Sequence, residues 1–83
     1  MEKNEIIAQM NSIFCKVFNR DDIKIDRTTN AKDIDDWNSL NHLTLITEIE
    51  KSFDIKFTLK EILKFKNVGD TVDCVYEKIK MNS

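Results

Sequence analysis

Two stretches of this chain place apolar side chains at helical spacing, and neither can be stable without something to bury against. Residues 2–18 carry Ile6, Ile7, Met10, Ile13, Phe14, Val17 and Phe18, with charged and amide side chains between them. Steps of three and four residues put these on one stripe of a helix. Asn19-Arg20-Asp21-Asp22 ends the run. Residues 39–53 repeat the pattern. At about 100° per residue from Ser39, the residues Leu43, Leu45, Ile46, Ile49 and Phe53 share one arc, the expected core face. Leu40 falls outside it, beside Thr44, Thr47, Glu48 and Lys51. An exposed leucine there reads either as a docking surface or as an ordinary surface residue.

The intervening residues 19–38 hold scattered anchors, Ile23, Ile25 and Ile34, among Asp, Asn, Thr and Lys. This predicts a long ordered loop pinned at its isoleucines, a length that is often functional. Thr58-Leu59-Lys60-Glu61 has the capping-box pattern that opens a helix, here a short one with Leu59, Ile62, Leu63 and Phe65. Asn67-Val68-Gly69-Asp70 caps a last helix with Val68, Val72, Val75, Tyr76 and Ile79 on its buried face. The expectation is an all-α fold, a small four-helix bundle with three longer helices, one short helix and a long first loop. With 83 residues it is one domain, 1–83, with a thin core and no room for a deep enzymatic cleft.

The net charge of −2 is unevenly spread. Residues 21–54 hold nine acids against four bases, a net −5, whereas residues 55–83 are at +2. The acidic part surrounds Ser39 and suits a basic partner. No basic stripe carries interleaved aromatics, which argues against nucleic acid. Cys15 and Cys74 lack metal-ligand spacing and read as small, half-buried helix residues. No signal peptide and no apolar run of transmembrane length is seen, so a cytoplasmic monomer without membrane contact is expected.

The stretch Asp36-Trp37-Asn38-Ser39-Leu40-Asn41-His42-Leu43 lies where the loop turns into the second helix. Ser39 is the first residue of that helix or its cap. A helix start leaves amides unpaired and favours an anion. The serine is therefore either a simple N-cap or an acceptor for a phosphate group. His42, one turn on, allows a Ser–His pair with Asp35 or Asp36 to be drawn. No oxyanion hole accompanies it, and a packed histidine is the simpler account.

Asn38-Ser39-Leu40 at the helix start and Glu48-Ile49-Glu50-Lys51-Ser52-Phe53-Asp54-Ile55-Lys56-Phe57 at its end together resemble an acyl carrier protein. The register fits residues 33–79 without a gap, and the first helix and loop agree in kind. The resemblance implies a non-catalytic carrier. Ser39 would bear 4′-phosphopantetheine, moved from coenzyme A by a phosphopantetheinyl transferase. Acyl or related thioesters would then be presented to acyl-loading, condensing or acyl-transfer enzymes of fatty-acid, other lipid or secondary-metabolite biosynthesis. It further implies partner docking through Asp35, Asp36, Trp37, Asn38, Leu40, Thr44, Thr47 and Glu48, and an apolar slot that opens when the loop and short helix shift.

Several residues depart from the family pattern. Asn38 stands where the family usually has Asp, a residue thought to help hold the transferase's magnesium, and an amide oxygen is a weaker ligand for that hard cation. A carrier-fold interaction module without the prosthetic group is the alternative this opens. Trp37 replaces a small residue and looks more like specialised or peptidyl-type (aminoacyl) carriers, or else is a ring covering the loop. Asn41 and Thr44 sit where fatty-acid carriers present acids, and Lys51 reverses another. These changes favour a dedicated pathway.

Overall fold

The computed structural model describes residues 2–35 and 37–82, without the side chain of Asn82. They form four helices, α1 (Lys3–Phe18), α2 (Ser39–Phe53), α3 (Leu59–Lys64) and α4 (Val68–Asn82), with no strand among the described residues. The two first helices end alike. Asn19 and Asp54 take left-handed backbone (φ 54° and 55°) and turn their amides back onto the helix, Asn19 to Cys15 and Lys16, Asp54 to Glu50. Asn and Asp are the residue types that tolerate this conformation after glycine. The predicted capping box of α3 is present, with Thr58 and Glu61 bonding each other's backbone amides at 2.8 and 3.2 Å.

The first helix is the centre of the bundle. Ile6, Met10, Ile13, Phe14 and Phe18 are buried from it, in one cluster with Leu45 and Ile49 of α2 and Val68, Val72 and Val75 of α4. Two members of the expected α2 face are not core. Leu43 is 61% exposed, and Phe53 is only half-buried. On the helical wheel Leu43 lies about 120° from Ile49, at the arc's edge, so contact centred on Ile49 leaves it uncovered. Phe53 is the last helical residue, where the cover thins. Tyr76 and Ile79 likewise pack on the core without being sealed in it. No α3 residue is buried, and Leu59 and Leu63 are exposed.

The long loop is held at both ends by polar contacts besides its buried isoleucines Ile23, Ile25 and Ile34. On the α1 side the Asn11 carboxamide donates to the Ile23 carbonyl at 3.0 Å and accepts from the Ile25 amide at 2.7 Å. On the α4 side the loop carbonyls serve as helix caps. Val68 N–H donates to Thr29 O at 2.8 Å and Gly69 N–H to Arg27 O at 2.9 Å. These are first-turn amides that α4 itself cannot satisfy. The Arg27 guanidinium grips the Asp73 carboxylate with two bonds of 3.0 Å, and Lys3 joins it at 3.1 Å.

That joint explains the chain's single glycine. A Cβ at Gly69 would lie 2.8 Å from the Arg27 carbonyl oxygen. Alanine in place of helical glycine normally stabilises by up to about 1 kcal/mol. Here the sign reverses: Gly69→Ala is expected to lower unfolding free energy by roughly 1–3 kcal/mol in urea titration. A neutral or stabilising result would show that the loop is not clamped against α4.

Candidate functional site

The second helix begins at Ser39, but Asn38 caps it. In extended backbone (φ −117°, ψ −177°), Asn38 accepts the Asn41 amide on its side chain at 3.0 Å and the His42 amide on its carbonyl at 2.8 Å. Asn and Asp cap about equally well, so the fold is served by either and only the charge at this position differs. Ser39 is thereby left without a structural task. It is exposed, its hydroxyl has no hydrogen-bond partner among the described residues, and the Ser39 and Leu40 amides have no acceptor there. An exposed hydroxyl beside two open amides at a helix start suits a phosphate ester.

Trp37, just before the cap, is turned inward. Its ring meets Phe14 edge-on at 5.2 Å and lies 6.5 Å from Phe18. Its indole Nε1–H donates to His42 Nδ1 at 3.1 Å, with the two rings stacked at 6.0 Å. Indole is a donor only, so the neutral imidazole carries its proton on Nε2. Burial pushes the His42 pKa below its usual 6.5. The Ser–His pair that can be drawn from the sequence is not assembled: Nδ1 is engaged by Trp37, and the Ser39 hydroxyl has no partner among the described residues.

A cleft of about 520 Å³ opens beside Ser39, between the start of α2, the loop and the turn into α4. Trp37, His42, Leu43, Phe65 and Thr71 line it. Leu43, expected in the core, is instead a cleft residue. The sequence signal was its place at the arc's edge. Nothing in the sequence marked Phe65 and Thr71, because the cleft joins residues far apart in the chain.

Of the other expected docking residues, Asp35, Asn38, Leu40, Thr44 and Thr47 are exposed, Leu40 at 73%. The Thr44 and Thr47 hydroxyls donate back to the Leu40 and Leu43 carbonyls at 3.3 and 3.0 Å. Trp37 and Glu48 are half-buried, Glu48 facing Lys16 at 3.5 Å. Asp36 lies outside the described residues. Cys74 lies 3.6 Å from the Glu61 carboxylate, and burial, then that charge, pushes its thiol up to about 11, so it stays protonated. Among the described residues no group of three or more His, Cys, Asp or Glu side chains could hold a metal, and no helix is long and apolar enough to cross a membrane.

Residues 8–75 match the family described as phosphopantetheine attachment site. The fold is similar to the solution NMR structure of a holo acyl carrier protein from Geobacter metallireducens (TM-score 0.88, 43% identity, covering 93% of this chain and 88% of that one). It is also similar to a Mycobacterium tuberculosis protein provisionally described as an acyl carrier protein (TM-score 0.72, 26% identity, covering 94% and 99%). No curated protein sequence matches the chain.

The Trp37–His42 bond requires a neutral imidazole. Because the folded pKa lies below the unfolded one, the stability it brings is present above about pH 6.5 and is lost as pH falls through the folded value. Fluorescence of the single tryptophan should therefore change on acidification with a midpoint below 6.5, and His42→Gln should remove the step. A midpoint above 6.5 would contradict the buried, neutral assignment.

Proposed function

The chain belongs to the acyl carrier protein family, whose members carry a phosphopantetheine attachment site, and we propose that Ser39 is the residue that takes the arm. Residues 1–83 then act as a single carrier domain that presents acyl or related thioester intermediates to the enzymes of a dedicated pathway. The observation that carries this reading is the Ser39 hydroxyl itself, exposed at the first position of α2 and without a partner among the described residues because Asn38 does the capping. The protein is a carrier and not a catalyst, and its side chains fit that task. His42 is held by Trp37, and the Cys74 thiol is masked.

The site suits 4′-phosphopantetheine at three points. The hydroxyl can enter a transferase, the Ser39 and Leu40 amides can bond the phosphodiester, and the cleft adjoins the attachment point. When bound, the arm supplies a terminal thiol on which acyl groups are carried as thioesters. This chain's own residues bind and orient: the helix end holds the phosphate, Trp37 and Leu43 offer apolar cover, and Leu40 projects outward as a contact for enzymes. The exposed α3, held chiefly by its cap and the Glu61–Lys78 pair at 2.9 Å, is free to shift and widen the cleft.

Incubated with coenzyme A and a phosphopantetheinyl transferase, the protein should gain the mass of one arm, and Ser39→Ala should gain none. Modification that persists in the alanine variant, or that maps to Ser12 or Ser52, would remove Ser39 from this role.

A dedicated pathway is supported by the outward face of α2, where Thr44 and Lys51 are exposed instead of acids. Exposed pairs are each worth up to about 1 kcal/mol, so two unfavourable positions lower affinity for a basic partner roughly tenfold or more. Thr44→Glu with Lys51→Glu should raise activity with housekeeping fatty-acid enzymes, and more so at low salt. Full activity of the unaltered holo-protein with those enzymes would overturn the dedicated-pathway reading.

A further inference from the structure

The wall that α4 gives the cleft is polar. Thr71 lines it and is only 8% exposed, yet its hydroxyl has no hydrogen-bond partner among the described residues. No side-chain nitrogen or oxygen among them is both sealed from solvent and unpaired, so this hydroxyl opens on the cleft. Asn67 lies one turn earlier on the same face and also lines the cleft. Its carboxamide oxygen is taken by the Asp70 amide at 2.9 Å, which leaves the NH2 group as the free half. His42, with its proton on Nε2, is a third cleft residue offering a donor.

Leu45, Ile49, Val68, Val72 and Val75 are all 2% exposed or less, so no channel open to solvent runs among these core side chains for a long alkyl chain to enter. A saturated chain in the cleft would strip water from the Thr71 hydroxyl and return no bond. An oxygen on the chain would restore it.

We propose that the cleft selects a short acyl group bearing an oxygen substituent, of the hydroxyacyl or oxoacyl class, with Thr71 and Asn67 bonding that oxygen. This rests on the assignment of the arm to Ser39. Trp37, Leu43 and Phe65 cover the carbon skeleton, and the donor-rich α4 wall reads the oxygen.

The test uses the full chain loaded at Ser39 from coenzyme A, butyryl-, 3-hydroxybutyryl- and dodecanoyl-coenzyme A, with intact mass confirming each load. The 3-hydroxybutyryl form should melt above the butyryl form by about 4–8 °C, the shift one buried hydrogen bond gives a domain of this size. The same load should shift the Thr71 amide resonance most. Thr71→Val should abolish the difference and Thr71→Ser should keep it, which guards against a valine variant that merely folds poorly. Equal melting of the butyryl or dodecanoyl form, survival of the difference in Thr71→Val, or the same gain in unacylated holo-protein would each overturn the selectivity. A protein that takes no arm at Ser39 would overturn the carrier assignment, and the mass spectrum separates that outcome from the others.

Discussion

Two hydrogen bonds, from the Val68 and Gly69 amides to the Thr29 and Arg27 carbonyls, hold the geometry on which the site depends. They meet two needs at once. A helix start has amides without partners, and a long loop has carbonyls without partners, and burying either alone would be costly. The bond is possible only because position 69 has no side chain to collide with Arg27. With Asn11 tying the other side of the loop to α1, the residues between α1 and α2 become a strut instead of a tether. One end of that strut carries Trp37 and Asn38 to the start of α2, and its middle fixes α4, whose Asn67 and Thr71 form the cleft's far wall.

On this frame the start of α2 is left exposed. The buried residues of that helix are Leu45, Ile46 and Ile49, so its first turn extends past the packed region. Asn38 supplies the cap that such an end needs, and Trp37 reaches in to Phe14 and across to His42, so the turn is firm without being covered. Exposure of Ser39 thus costs the fold little. The third helix is lightly held by contrast. Thr58's amide and the Lys78 ammonium bring the Glu61 carboxyl down to about 2, so that grip is complete above about pH 4.5 and weakens as pH falls towards 2. A rigid attachment point beside a light third helix is an arrangement in which the cleft can change while the serine does not move.

Helix positions and the core were readable because periodicity and caps are local. The α2 and α3 boundaries follow from Asn38-Ser39, Asp54 and Thr58-Glu61, and Ile6, Met10, Ile13, Phe14 and Phe18 are buried as their spacing requires. The candidate serine was legible for a related reason, since a helix start announces itself in sequence. Leu43 and Phe53 show the limit: a helical wheel gives the direction of a side chain but not how far the neighbouring helix extends to cover it. Other features were beyond local reading altogether. Gly69 against Arg27, Asn11 against Ile25, and Thr71 and Leu43 lining one cleft are juxtapositions of distant segments that no spacing rule encodes.

Amide hydrogen exchange in the apo- and holo-proteins tests the central claim, an open helix end on a fixed frame. In the apo-protein the Ser39 and Leu40 amides should exchange fast, and attachment of the phosphodiester should slow them as its oxygens take up the N–H groups. Ile25, Val68 and Gly69 should be slow in both forms, because their amides are bonded to Asn11, Thr29 and Arg27. Ser39 and Leu40 amides already slow in the apo-protein, or Val68 and Gly69 amides as fast as those of an open loop, would contradict the account.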